Sequence, residues 1–258
     1  MSRSVTAAPD PTDYLDAAAA AAVQVAFDYK RRLDEALGVR RGDTVVDIGC
    51  GPGTDLGALV ATGAAVVIGV DRDPLMAAEA ARRAPAADVR VGDVHALPLP
   101  DGSVDRARTD RVLQHVADPS SALAEVMRVL RPGGVLGMAE PDWDTLAVAG
   151  DDVETSRGFA RFTAGRVRNS TIGRQLVGLA ARAGFGIRSV EAVPVLFRDF
   201  DLADRILGLT RNSARAVEAA QLRDDVAATW LAELADPGTP FLAAFTLYLV
   251  TAVKPTHP

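Results

Sequence analysis

The stretch Val45-Val46-Asp47-Ile48-Gly49-Cys50-Gly51-Pro52-Gly53 decides the fold of this chain. Its first half is a short apolar run of the kind that forms a buried parallel strand. The run leads directly into three glycines at alternate positions, where a backbone can turn sharply and approach a ligand that a β-carbon would push away. The stretch therefore predicts a strand, a tight ligand-binding loop and a helix.

A second apolar run, residues 65–70, ends at Asp71, where a carboxylate can bind two ribose hydroxyls. The glycine spacing then separates two classes of nucleoside ligand. Dinucleotide-binding loops have two residues between their second and third glycines, so that a pyrophosphate can lie on the helix amino terminus. Only Pro52 separates Gly51 from Gly53 in this chain, which argues against a dinucleotide.

The pattern Asp47-x-Gly49-x-Gly51-x-Gly53 resembles the first motif of the class I S-adenosylmethionine-dependent methyltransferases. Further segments resemble that family in the same order along the chain: Arg72–Met76, Val89–Pro100, Ser103–Ala107, Val112–Val116 and Val129–Leu136. Within that family, these segments most resemble the small-molecule methyltransferases related to the ubiquinone and menaquinone biosynthesis enzymes.

The resemblance implies S-adenosylmethionine as the cofactor and indicates which residues contact it. The glycine loop packs against the methionine moiety, Asp47 orients the methionine tail, and Asp71 binds the ribose. Met76 lies against the adenine face, and Asp93 accepts from the adenine amino group. One of two residues before the first strand is expected to meet the methionine carboxylate. The complete predicted set is Tyr14, Lys30, Asp47, Gly49, Cys50, Gly51, Gly53, Asp71, Arg72, Met76, Gly92, Asp93, Val94 and Arg111.

Alternating apolar strands and amphipathic helices predict an α/β fold, a doubly wound and mostly parallel sheet. The resemblance implies seven strands in the Rossmann-like methyltransferase arrangement, with the last strand antiparallel between the fifth and sixth. We expect a single domain over residues 1–258. Within it, residues 1–42 form a helical lid and residues 43–141 the cofactor-binding core. Residues 142–185 and 201–236 are helical insertions after strands 5 and 6 that bind the acceptor.

The lid and the two insertions carry aromatic residues, which as a group suggest an apolar or aromatic small-molecule acceptor. Core packing is the alternative for each of them alone. These residues are Tyr14, Phe27, Trp143, Phe159, Phe162, Phe197, Phe200 and Trp230. Four arginines can either meet an acidic group on the acceptor or lie on a solvated helix face. They are Arg161, Arg166, Arg168 and Arg174.

Methyl transfer is a direct displacement at the sulfonium methyl, so the enzyme mainly supplies proximity and alignment. A general base is needed when the acceptor is a phenol or an acidic carbon that keeps its proton unaided. His115, just past the fourth strand, is the first candidate, and a structural histidine is the alternative. Asp142 is the second candidate, and a turn residue is its alternative. No cluster of His, Asp and Glu has metal-ligand spacing, and we predict no metal.

Composition limits the partners and the location. The net charge of -6 argues against broad affinity for nucleic acid. No apolar run is long enough to span a bilayer, and the amino terminus does not resemble a secretory leader. We therefore expect a cytoplasmic protein without a membrane partner, and the sequence leaves a homodimer open. The single cysteine, Cys50, excludes an intramolecular disulfide and is expected to be a small packing residue.

Three functions remain open at this level. The leading one is methyl transfer to a small molecule in specialised metabolism. The second is an enzyme of the same fold that holds S-adenosylmethionine and catalyses cyclisation or other chemistry. The third is a catalytically silent binding module, which would not need the intact glycine loop together with Asp71 and Asp93.

Overall fold

A computed structural model describes residues 28–256 of the chain. Its strands are β1 (Thr44–Ile48), β2 (Val66–Asp71), β3 (Asp88–Val91), β4 (Val104–Asp110), β5 (Leu130–Val148), β6 (Gly186–Phe197) and β7 (Ala243–Val253). They form one seven-stranded sheet in the order β3-β2-β1-β4-β5-β7-β6. β7 is antiparallel to both of its neighbours, whereas the pairs among β1 to β5 are parallel. The predicted fold class is confirmed.

Helices cover both faces of this sheet. Their bounds are α1 (residues 28–37), α2 (Leu56–Ala61), α3 (Pro74–Arg83), α4 (Pro119–Val129), α5 (Val153–Gly165), α6 (Ile172–Arg182), α7 (Phe200–Leu207), α8 (Leu209–Glu218) and α9 (Asp224–Leu234).

Side chains alternate between the two faces, as they must in a strand. Val46 and Ile48 of β1 share an apolar cluster with Leu123 of α4 and Leu176 of α6. On the opposite face, Val45 packs with Leu56 of α2. Asp47 belongs to this second face, which is the one that α1 covers.

The fifth strand is longer than predicted. It continues past Pro141 to Val148. The sequence predicts that residues 142–148 belong to a helical insertion, and that part of the prediction is wrong. The reason is the eleven-residue β7, which pairs Asp142 with Thr246 and, after a register shift, Ala147 with Ala244. The helices of this insertion begin at Val153, and those of the second insertion are α7, α8 and α9.

The glycine loop after β1 has left-handed backbone at all three glycines, with φ of 71° at Gly49, 53° at Gly51 and 77° at Gly53. A Cβ on Gly53 would lie 2.8 Å from the Cα of Ala80 in α3, and a Cβ on Gly49 would lie 2.4 Å from Cγ2 of Val112. Two of the three glycines are therefore needed for packing as well as for φ.

We expect Gly53→Ala to destabilise the protein more than Gly63→Ala does. Gly63 also has a positive φ, 82°, but a Cβ there meets nothing within 4 Å. Both variants pay about 1–3 kcal/mol for the left-handed backbone. Gly53→Ala additionally pushes α3 from the sheet, an overpacking cost of about 1–3 kcal/mol. Denaturant unfolding measures the two losses, and equal losses would contradict the packing role.

Candidate active site

The carboxyl ends of the parallel strands meet at one edge of the sheet, which is where ligands bind in such folds. This edge brings together the glycine loop after β1, Asp71 at the end of β2 and Asp93 after β3. The turn after β4, residues 111–116, carries Arg111 and His115 to the same edge. Tyr14 and Phe27, also expected here, lie outside the described residues.

Asp71 fixes the glycine loop through the backbone. Its Oδ2 accepts from the Gly51 N–H at 2.8 Å, and its Oδ1 accepts from the Asp73 N–H at 2.9 Å. Each carboxylate oxygen can accept a second hydrogen bond, so the group can still meet two hydroxyls. A Cβ on Gly51 would meet nothing within 4 Å, which leaves that side of the loop open to a ligand.

Asp93 is oriented by His95. Its Oδ1 accepts from the His95 N–H at 2.9 Å and lies 2.6 Å from Nδ1 of the ring. These contacts, the backbone one first, lower the pKa of Asp93. Its Oδ2 has no donor among residues 28–256 and is free for an exocyclic amine. Gly92 is required for packing, because a Cβ there would lie 2.6 Å from Cδ of Pro98.

The other residues predicted to contact the adenine or to form the glycine loop differ in their exposure to solvent. Val94 is buried, Met76 of α3 is half-buried, and Arg72 is exposed. Cys50 is buried inside the loop, and burial raises the pKa of its thiol to about 12. A thiol with that pKa is protonated at neutral pH and unreactive, in agreement with a packing role.

A group of charged side chains lies beneath α1, which we call the Arg108 cluster. Its members are Lys30, Asp34, Asp47, Asp55, Arg108 and Asp110. Arg108 is fully buried, and its Nη2 donates to Asp55 at 2.9 Å and to Asp110 at 3.3 Å. Its Nε and Nη1 have no hydrogen-bond acceptor among the described residues. Sequence reasoning missed Arg108, whose only signal was a cation within a strand expected to be buried.

Two neighbouring residues of α1 reach the acids of this cluster: Lys30, which is one of its members, and Tyr29. The Lys30 ammonium donates to Asp55 at 2.5 Å and lies 3.4 Å from Asp110. Its charge is therefore neutralised within the protein, which does not favour its predicted contact with a methionine carboxylate. The neighbouring Tyr29 hydroxyl, which sequence reasoning passed over, donates to Asp110 at 3.1 Å.

The Asp47 carboxylate, like that of Asp34, accepts no hydrogen bond from any described residue. Asp47 pairs with Arg108 in the register of β1 and β4, and it is 4% exposed. Burial raises the pKa of its carboxyl to about 7, and the Arg108 charge opposes that shift. A buried carboxylate without a donor is suited to a cationic or hydrogen-bond-donating ligand.

The turn after β4 presents His115 at the edge of the sheet. The His115 ring is exposed and makes no hydrogen bond to the described part of the chain. Although the residue is exposed, neighbouring protein atoms partly desolvate the ring and lower its pKa first, and the positive charges of Arg72 and Arg111 lower the pKa further. The imidazole is therefore neutral at neutral pH and has a ring nitrogen available to accept a proton.

Asp142 is placed differently from what its candidate role requires. Its carboxylate is fully buried and pairs with Arg174 in bidentate fashion, through Nε and, at 2.7 Å, Nη2. Both oxygens are engaged, so the arrangement does not favour Asp142 as a base. Arg174 is one of the four arginines considered for an acidic group on the acceptor. Its ion pair with Asp142 does not favour that role.

The aromatic residues divide into a buried group and an accessible group. Phe159, Phe197 and Trp230 are at most 1% exposed and fill the core of the insertions. Trp143 is partly buried, stacks on Phe245 at 5.0 Å between ring centroids, and donates from Nε1 to Gln114 at 2.8 Å. Among residues 28–256, Trp143 is thus a predicted aromatic residue that contacts the turn after β4, through Gln114.

Within residues 28–256, no three His, Cys, Asp or Glu side chains are grouped as metal ligands. The helices of the same range are all too short or too polar to cross a membrane.

Comparison with known proteins places this site in a family. Residues 46–138 match the family described as a methyltransferase domain. An uncharacterized 37.1 kDa protein in transposon TN4556 of Streptomyces fradiae is 49% identical over 253 residues, 96% of this chain and 72% of that protein. The demethylmenaquinone methyltransferase of Beutenbergia cavernae is 38% identical over 118 residues, 45% of this chain and 49% of that enzyme.

A solved structure supports the same assignment at the level of the fold. A protein from Bacillus halodurans assigned as a methyltransferase superimposes with a TM-score of 0.66 at 16% identity, covering 88% of this chain and 98% of that one. With a methyltransferase domain at residues 46–138, a named methyltransferase matched over that region and the same fold in a solved structure, the chain belongs to the class I S-adenosylmethionine-dependent methyltransferases.

Proposed function

We propose that this methyltransferase transfers the methyl group of S-adenosylmethionine to an apolar or aromatic small-molecule acceptor, with His115 as the general base. The observation that carries the proposal is the exposed His115 at the ligand edge of the sheet, which makes no hydrogen bond to residues 28–256 and follows Gln114, the residue that Trp143 contacts. We expect the enzyme to act in the cytoplasm, in specialised metabolism.

The residues at this edge fit the cofactor. Gly51 offers backbone without a side chain, Asp71 has a free lone pair on each oxygen, and Asp93 has Oδ2 free. Asp47 offers a buried carboxylate to the ammonium of the methionine tail. When bound, S-adenosylmethionine supplies an electrophilic methyl group on a sulfonium.

The protein's own contribution is alignment and one proton transfer. Trp143 and the apolar residues behind it hold a ring or an alkyl chain against the turn after β4. His115 then accepts the proton of a phenol or an acidic carbon at a ring nitrogen as the acceptor is methylated. The direct test is incubation of phenols and carbon acids with labelled S-adenosylmethionine, followed by mass spectrometry for the gain of one methyl group. Conversion of an acceptor without such a gain would instead favour cyclisation.

The first prediction concerns the ribose contact. We expect calorimetry to detect binding of S-adenosylhomocysteine and no binding of NAD. Asp71→Ala removes charge-assisted hydrogen bonds to the ribose and should weaken binding by about 1.5–3 kcal/mol. Asp73→Ala is the matched control, since its carboxylate caps α3 through the Leu75 N–H. Equal losses in the two variants would place the ribose elsewhere.

The second prediction concerns Asp47. Its pKa rises from 3.8 when unfolded to about 7 when folded, so the folded protein keeps a proton that the unfolded chain loses between these values. The ionised carboxyl therefore destabilises the cofactor-free protein increasingly up to pH 7, by at most roughly 4 kcal/mol for about three pKa units. Asp47→Asn should be more stable at pH 8, unchanged near pH 4, and weaker in cofactor binding. Denaturant unfolding at both pH values and calorimetry check this, and lower stability at pH 8 would contradict it.

The third prediction concerns His115. His115→Ala should lower turnover of a phenolic or carbon acceptor by roughly 100- to 10,000-fold, the usual contribution of a positioned base, with little change in cofactor affinity. The rate of the unmutated enzyme should fall at acidic pH, below the ordinary histidine pKa of about 6.5. His95→Ala provides the contrast, because it disturbs Asp93 and should weaken the cofactor while the acidic limb remains. An acidic limb that persists in His115→Ala would assign the limb to another group.

A further inference from the structure

Glu140, near the middle of β5, has an unusual set of partners for a fully buried acid. Its Oε1 accepts from the backbone N–H groups of Val112 at 2.8 Å and Leu113 at 2.6 Å, and its Oε2 accepts from the Gln114 N–H at 3.2 Å. Three consecutive backbone donors thus converge on one carboxylate that is 0% exposed. Consecutive N–H groups of this kind form a concave nest for an anion.

The turn that these donors belong to connects the two halves of the active site. Val112 packs on the cofactor side, because a Cβ on Gly49 would lie 2.4 Å from its Cγ2. His115, the base under the proposed function, lies further along the turn and is exposed. Between β4 and these residues, Arg111 has a left-handed backbone with φ of 58°, a conformation that only surrounding contacts maintain in a residue with a side chain.

The carbonyl side of the turn is held separately. Asn169 donates from Nδ2 to the carbonyls of Leu113 at 2.8 Å and Val116 at 2.9 Å. The N–H side of residues 112–114 depends on Glu140. Burial raises the pKa of Glu140, and the hydrogen bonds from the three N–H groups oppose that rise by favouring the ionised form.

We propose that Glu140 is a positioning residue for methyl transfer, whose carboxylate holds the turn after β4 so that Val112 supports the glycine loop and His115 faces the acceptor. The proposal rests on the function proposed for His115. It assigns no contact between Glu140 and either substrate.

The test is Glu140→Gln in the full-length enzyme. The substitution keeps the shape of the side chain but places an amide NH2 where an acceptor is needed, so that donor faces donor. We expect kcat to fall by about 10- to 100-fold, the effect of a small misplacement of a catalytic group, while the dissociation constant of S-adenosylhomocysteine changes less.

A spectroscopic reading separates positioning from general stability. The chain has three histidines, so the His115 ring proton can be assigned by NMR through substitution. Desolvation first, and then Arg72 and Arg111, lower the pKa of His115, and displacement of the turn in Glu140→Gln should raise that pKa toward its ordinary value. This reading does not depend on turnover, so it holds even if His115→Ala proves fully active.

Asp142→Asn is the matched control, since Asp142 lies two residues further along β5 and is equally buried but bonds Arg174 instead of the turn. It should leave the His115 titration unchanged. Glu140→Asp is the second variant, because it keeps a carboxyl group on a shorter arm and should retain more activity than Glu140→Gln. Normal kcat and an unchanged His115 titration in both Glu140 variants, or the same titration shift in Asp142→Asn, would overturn the proposal.

Discussion

Backbone N–H groups that leave the parallel sheet at its carboxyl edge need acceptors, and acidic side chains at the strand ends provide them. Asp71 accepts from Gly51, and Glu140 accepts from three successive residues of the turn after β4. A buried N–H without a partner costs about 1–3 kcal/mol, so these carboxylates determine where the loops lie. The same loops carry the cofactor and acceptor contacts, and the chemistry therefore depends on this pairing.

In the Arg108 cluster, buried charge destabilises the protein, whereas Asp71 and Glu140 stabilise the loops. Four aspartates and two cations lie together beneath α1, and Arg108 still has nitrogens without acceptors. Burying such groups is costly unless all of them are paired, so the cluster is a poor way to stabilise a sheet. Its excess of negative charge suits a cofactor whose sulfonium and ammonium are positive. A site of this kind sacrifices stability for binding, which is common where function needs buried charge.

Much of the fold was predictable because its signals are local. The glycine spacing indicated the loop, and short apolar runs indicated the strands of the doubly wound sheet. The length of β5 was not predictable, since it depends on pairing with β7 about one hundred residues later, as with Thr145 and Thr246. The same holds for Asp142, whose partner Arg174 lies 32 residues away. Glu140 reads as an ordinary acid until the turn after β4 is in place.

The insertion of β7 between β5 and β6 also constrains how the sheet can be assembled during synthesis. β7 is the last strand in the order of the chain, and both of its neighbours are made before it. Strands β1 to β5 can pair as they emerge, but β5 keeps an open edge until β7 is complete. Unpaired edges of this length are sites of misassociation. β6 and the helices of the two insertions, all synthesised in the interval, are the parts of the chain available to shield that edge.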